Sequence, residues 1–257
     1  MEFDYRNKVC VITGAGAGIG QATAVMFAKH GAIVVLNDLS LKHCADTVRM
    51  IEEANAQWHA VTGDISDPAV AHRLVNEAVE KYGKLDVLVN VAGIVQSNTI
   101  ETITPEEFDR SMAINVKAPM MTCQAACRQM CKQGYGVMVV IASTAGILGV
   151  GNRMAYSTSK GALIAMCKSI AADMAHTNVR INCVCPGTVD TPSMEARFQA
   201  MPDPVEGKKK FLARELNGRI GKPEEIARTV LFAAASEIDY LNGSTIVVDG
   251  GMTCCTQ

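Results

Sequence analysis

A glycine cluster wedged between a strand-length apolar run and a helical segment constrains this chain more than anything else in it. Val9-Cys10-Val11-Ile12 runs directly into Thr13-Gly14-Ala15-Gly16-Ala17-Gly18-Ile19-Gly20, and Ala22–His30 then has a helical pattern. Glycine lets a backbone turn tightly and approach a pyrophosphate with no Cβ in the way. The helix N-terminus behind it offers unpaired N–H groups and the positive end of a dipole. Tight turns also use glycine, so the cluster alone says little. Its position after a first strand and before a first helix makes it a dinucleotide-binding turn.

The rest of the chain repeats the alternation. Further strands are expected at Ile33–Leu36, Val87–Val89, Val137–Ile141, Val179–Val184 and Thr245–Val248, and further helices at Pro68–Lys81, Pro105–Lys132 and Ala155–His176. Continuous apolar strands separated by helices imply a parallel sheet buried on both faces. The expected fold is therefore α/β, a single-domain, Rossmann-type, doubly wound parallel sheet with helices on both faces, spanning 1–257. No repeat, low-complexity tract or linker divides it. The segment 191–221 breaks the rhythm with three prolines and two short helical stretches, Met194–Ala200 and Val205–Leu216. An insertion there, above the carboxyl edge of the sheet, is expected to act as a substrate lid.

Composition narrows the class. With 24 Lys+Arg against 26 Asp+Glu, the chain lacks the basic excess of a nucleic-acid binder. Apolar stretches stay short of the roughly 20 residues of a membrane-spanning helix, and the N-terminal residues do not read as a signal peptide. A soluble, cytoplasmic protein is expected. Ten cysteines in 257 residues fall below the roughly 8–10% of a disulfide scaffold, and none has metal-finger spacing. Cys123, Cys127 and Cys131 read as a small-residue packing seam rather than a soft-metal stripe. Cys183 and Cys185 share one strand face and read as core. Nothing decides the role of Cys254 and Cys255, and no metal site is expected.

The second strand ends at Asp38, eighteen residues beyond Gly20. A carboxylate there can accept hydrogen bonds from the adenosine ribose hydroxyls and repels a 2′-phosphate. Leu39-Ser40 follow it, and neither Arg nor Lys occurs in the glycine loop. The cofactor expected is NAD rather than NADP; the plainer reading of Asp38 is a cap on the next turn.

Tyr156-Ser157-Thr158-Ser159-Lys160 sets a phenol and an ammonium four residues apart on one helix face. A free tyrosine, with a pKa near 10, is too weak an acid to work as a base at neutral pH. Lowering that value by about three units means roughly 4 kcal/mol of preferential phenolate stabilisation. A nearby lysine and an oxidised nicotinamide in a dry site could supply it.

Together with the glycine loop, this pair resembles the short-chain dehydrogenase/reductase family, over essentially the whole chain. The resemblance makes Gly14, Gly16, Ala17, Gly18 and Ile19 part of a cofactor loop, and Asp64-Ile65 the pair flanking the adenine. Asn90-Val91-Ala92-Gly93 is similar to the family's Asn-Asn-Ala-Gly turn, with Val91 in place of the second Asn. Asn115, Ser143, Tyr156 and Lys160 fall where the family has its catalytic four. Pro186-Gly187-Thr188-Val189-Asp190-Thr191-Pro192 resembles the segment that closes over the nicotinamide, and Asp249-Gly250-Gly251 the end of the last strand. The implied reaction is hydride exchange between a secondary alcohol or ketone and the nicotinamide. Tyr156 would take the hydroxyl proton, and Ser143 would hydrogen-bond the substrate oxygen. Lys160 would contact the nicotinamide ribose and depress the phenol, while Asn115 would hold a water that passes the proton outward.

Arg153 precedes Tyr156 by three residues, and Arg197 and Arg214 lie in the expected lid. Arginine suits bidentate carboxylate recognition; the plainer reading is exposed ion pairs of little energetic worth. The stretches around these residues resemble a branch acting on small hydroxy acids, including 3-hydroxybutyrate and 2-keto-3-deoxy sugar-acid dehydrogenases. The substrate expected is thus a small hydroxy acid or sugar acid with an anionic group. Rival readings are a dehydrogenase of neutral sugars or polyols, a 3-oxoacyl reductase, and a non-catalytic NAD-binding module. The resemblance also implies a homotetramer joined through Pro105–Lys132 and Ala155–His176. The small-residue stripe Ala118, Thr122, Ala125 and Ala126 is compatible with that or with ordinary core.

Overall fold

The computed structural model describes residues 3–213 and 215–254. Among them, the strands are β1 (Val9–Thr13), β2 (Ile33–Asn37), β3 (Trp58–Ala60), β4 (Val87–Asn90), β5 (Gly136–Ile141), β6 (Val179–Pro186) and β7 (Thr245–Val248). They form one sheet in the order β3-β2-β1-β4-β5-β6-β7, with every adjacent pair parallel. The helices are α1 (Gly18–Lys29), α2 (Ala45–Glu53), α3 (Pro68–Tyr82), α4 (Pro105–Met112), α5 (Ala118–Gln133), α6 (Met154–Asp173), α7 (Pro192–Gln199), α8 (Pro204–Leu212) and α9 (Pro223–Ala234).

The two-residue period of a strand sorts its apolar run between two cores. Val9 and Val11 join Leu74 of α3, Met130 of α5 and Leu163 of α6 on one face. Cys10 and Ile12 join Phe27 of α1, Ile51 of α2 and Val230 of α9 on the other. Fully burying one such side chain contributes about 1.5–3 kcal/mol, so the doubly covered central strands are the rigid frame from which the site loops project. The expected architecture is the one observed. Among the described residues, no helix is long and apolar enough to cross a membrane.

Several elements differ from expectation, each for a local reason. The edge strand β3 has only three residues, Trp58-His59-Ala60, and is held by its register with Val34–Leu36 of β2 rather than by an apolar run of its own. Helices α2 and α9 did not stand out in the sequence. The continuous helix expected over Pro105–Lys132 is α4 and α5 joined by a π turn, Ala113–Lys117. Such turns often mark functional positions, and Asn115 sits inside this one. The stripe Ala118, Thr122, Ala125 and Ala126 is buried within the chain's own structure, so it offers no argument for assembly.

Of the expected seam, Cys123 is buried and Cys127 partly so, whereas Cys131 is exposed and falls outside it. Cys123 accepts a hydrogen bond from Asn90 Nδ2 at 3.4 Å, Cys127 Sγ lies 3.8 Å from Met138 Sδ, and Cys183 and Cys185 are fully buried. Cys254 is exposed, and Cys255 lies outside the described residues.

Candidate active site

The strand order reverses between β1 and β4. Chains leaving neighbouring strands on opposite sides open a crevice at the carboxyl edge of such a sheet. A cleft of about 390 Å³ lies there, walled by the loops after β1, β4, β5 and β6 and by the lid. Thr13 joins the first two loops: its hydroxyl accepts from Val91 N at 3.0 Å and Ala92 N at 3.1 Å. Gly14 packs so closely there that an added Cβ would stand 2.8 Å from Ala92 Cα, and its φ of +64° lies in the left-handed region that favours glycine. Helix α1 starts at Gly18, earlier than expected, behind Ala17, whose side chain has no oxygen to cap the first turn. That turn is left as an anion-binding end.

At the far end of the floor, Asp38 closes β2. Its Oδ2 accepts from Gly16 N at 3.0 Å and its Oδ1 from Leu39 N at 2.8 Å. Gly14, Ala17, Gly18, Ile19, Asp38, Ala92, Gly93, Pro186, Gly187, Val189 and Thr191 all line the cleft, as expected. Gly16 lies behind Asp38 rather than on the wall. Asn90 is buried behind it, donating to Cys123 and accepting from Thr122 Oγ1 at 2.8 Å, so it joins β4 to α5. Asp64 and Ile65 also lie off the wall. Asp64 Oδ1 is engaged by Ser66 N and Oγ at 2.9 and 2.7 Å, and Ile65 is drawn into the core.

Helix α6 brings Tyr156 and Lys160 to one wall, opposite the glycine loop. Lys160 is buried; its Nζ donates to Ile141 O at 2.8 Å and lies 5.6 Å from the Tyr156 ring centre. Ser143 follows β5 in the same wall, its Oγ accepting from Ala145 N at 3.1 Å. Asn115 is fully buried. Its Oδ1 accepts from Ile94 N at 2.8 Å, and its Nδ2 donates to Ile94 O at 2.9 Å and Ser159 Oγ at 3.0 Å. Ser159 in turn donates to Tyr156 O at 2.7 Å. The Asn115 amide therefore braces the loop after β4 against the first turns of α6. Its side chain is not among those that line the cleft.

Burial pushes the Tyr156 phenol above its ordinary value, while the Ser143 hydroxyl and the charges of Arg197 and Arg153 pull it back. Burial pulls the Lys160 ammonium down to about 8, because a charge in a poorly polarisable interior loses its hydration. Arg153 Nη1 donates to Ser97 Oγ and to Asn152 O, both at 2.6 Å. Arg197 stands 5.7 Å over the Phe211 ring. Both arginines line the cleft; Arg214 lies outside the described residues.

The expected lid is α7 and α8, each starting slightly earlier than its apolar pattern because Thr191 and Asp203 cap them. A parallel bridge between Val189 and Gly221 ties the base of the excursion. Asn98 escaped the sequence reading. Its O and Oδ1 accept, both at 3.3 Å, from Met154 N and Ala155 N, so it caps α6 from 57 positions away. No local pattern announces such a partner.

A family model described as Enoyl-(Acyl carrier protein) reductase matches residues 14–253. An uncharacterized oxidoreductase of Thermotoga maritima is 44% identical over 97% of this chain and 99% of its own. A 3-oxoacyl-[acyl-carrier-protein] reductase FabG of the same organism is 36% identical over 96% and 98%. A 2-(R)-hydroxypropyl-CoM dehydrogenase of Xanthobacter autotrophicus is 37% identical over 96% and 99%. Among solved structures, levodione reductase superposes with a TM-score of 0.95 at 28% identity, covering 98% of this chain and all of that one. The chain belongs to the short-chain dehydrogenase/reductase family of oxidoreductases. That family uses nicotinamide cofactors, and the uncapped first turn of α1, the glycine floor and Asp38 suit the pyrophosphate and adenosine ends of one.

Proposed function

We propose that this protein is an NAD-dependent dehydrogenase of a small hydroxy acid or sugar acid. The observation that carries the substrate reading is the convergence of Arg153 and Arg197 on the cleft that contains Tyr156 and Ser143. Two guanidinium groups beside a proton-transfer residue match a secondary hydroxyl near a carboxylate or sulfonate. The cofactor reading is supported by Asp38 at the end of β2, with neither lysine nor arginine in the glycine loop.

A bound nicotinamide supplies the hydride acceptor or donor and, when oxidised, a positive charge. Tyr156 exchanges the proton of the substrate hydroxyl, and Ser143 hydrogen-bonds the same oxygen and holds it in line. Lys160 is the buried cation behind them, and Asn115 keeps the loop and helix that carry this group in register. The arginines do two things: they hold the anionic end of the substrate, and they favour the ionised phenol. The lid excludes water over the site. Cytoplasmic location and assembly as a homotetramer belong to the same reading, through the family resemblance; light scattering on a sizing column tests the latter.

Absorbance at 340 nm with NAD or NADP, over a panel of hydroxy acids, hydroxyalkyl sulfonates, polyols and neutral secondary alcohols, tests the proposal. Acidic alcohols should give the higher kcat/KM with NAD, and Arg153→Ala should raise KM for them at least tenfold while leaving neutral alcohols unaffected. An equal change for both kinds removes the anchor and favours the polyol reading. Preference for an acyl-thioester ketone with NADPH would favour the 3-oxoacyl reductase reading.

A further inference from the structure

The lid holds an aromatic contact that the proposed chemistry does not use. On α7, Met194 and Phe198 are buried, and Arg197 follows Met194 by three residues, a spacing that puts all three on one helix face. Phe198 meets Phe211 of α8 edge to face, with ring centres 5.3 Å apart and planes at 84°. The same Phe211 ring lies under the Arg197 guanidinium, whose Cζ is 5.7 Å from the ring centre. A single ring thus meets both an apolar anchor and a cation of the neighbouring helix. Arg197 and Phe211 both line the cleft, and the charge of Arg197 reaches the Tyr156 phenol.

We propose that Phe211 is a specificity-determining residue whose ring positions the Arg197 guanidinium for the anionic end of the substrate. The inference rests on the hydroxy-acid reading above. A long arginine side chain gives up much rotamer freedom when it settles into one geometry, and ordering it only when the substrate arrives weakens binding. A ring face attracts the guanidinium through its quadrupole and, unlike a carboxylate, does not cancel the charge it holds. Phe211 therefore meets part of the ordering cost before the anion binds. A neutral alcohol has nothing to gain from the guanidinium, so the ring acts on the preference for anionic over neutral substrates. No bond is made or broken by Phe211.

The test is calorimetric titration of the full-length protein, saturated with NAD and with NADP in turn, using butyrate and propane-1-sulfonate as probes. Both carry the anion and no hydroxyl, so binding is read without turnover. Phe211→Leu keeps an apolar side chain and removes the ring; it should weaken both probes by about threefold to tenfold, the range of a partly desolvated cation–ring contact. Phe211→Tyr keeps the ring face and should bind within about twofold of the wild type. In an Arg197→Gln background, Phe211→Leu should cause no further loss, because the ring then has no cation to place. The ratio of kcat/KM for 3-hydroxybutyrate over butan-2-ol should fall in Phe211→Leu by the same factor as the affinity for butyrate. Equal losses from Phe211→Leu in both backgrounds mean a ring that only shapes the pocket; they overturn the proposal and leave the hydroxy-acid reading standing. Unchanged affinity in Phe211→Leu does the same. A wild type that binds neither anion with either dinucleotide overturns both.

Discussion

Replacing Lys160 with methionine should stabilise the protein at neutral pH while abolishing its activity. Burial holds the Lys160 ammonium at about 8, against about 10.4 for a free lysine. At about 1.36 kcal/mol per unit, keeping this residue charged in the fold costs about 3 kcal/mol. The sign follows from linkage. The unfolded chain binds the proton more tightly, so the cost is present in full below pH 8. It is relieved as pH rises from 8 towards 10.4, where both states become neutral. Methionine has nearly the same length and no charge, so it escapes the cost at every pH. It also loses the hydrogen bond to Ile141 O and leaves that buried carbonyl without this partner, a penalty of about 1–3 kcal/mol with no dependence on pH. The absolute gain at pH 7 is therefore small, about 0–2 kcal/mol. The diagnostic quantity is the difference between the two stability curves. Urea unfolding followed by circular dichroism at pH 7, 8, 9 and 10 should show the variant's advantage shrinking by about 2–3 kcal/mol across that range. Tyr156 is present in both proteins and cancels. Parallel curves would mean that Lys160 titrates in the fold as it does in water, and the account of a desolvated ammonium would be wrong.

Tyr156→Phe should lower kcat by about 10²–10⁴-fold while NAD affinity changes less than threefold; turnover within tenfold of wild type excludes the phenol as the proton-exchanging group. Asn98→Ala removes the Oδ1 that caps α6, and urea unfolding should show a loss of about 1 kcal/mol. Because Tyr156 sits in the first turn of that helix, kcat should fall with KM for NAD unchanged, and Asn98→Asp, which keeps the acceptor, should recover most of both losses.

The local physics of the chain made much of this molecule legible. Val9–Ile12 followed by the glycine cluster specifies strand, phosphate turn and helix through backbone conformation and hydrophobic period, both of which are properties of neighbouring residues. The Tyr156 and Lys160 spacing is equally local, since four residues make about one helical turn. Asp38 could be placed for the same reason: a strand of known start and direction must end near it. What the residues alone left open depended on distant partners. The three residues of β3 are strand because β2 offers them a ladder. The bracing role of the Asn115 amide could not be read either, since its partners, Ile94 and Ser159, come from a different loop and a different helix. The stripe from Ala118 to Ala126 faces the chain's own core. The approach of Arg197, from α7, to Tyr156 of α6 is likewise a product of folding. Charge interactions act through space over several ångströms, and only the folded chain decides which charges come that near.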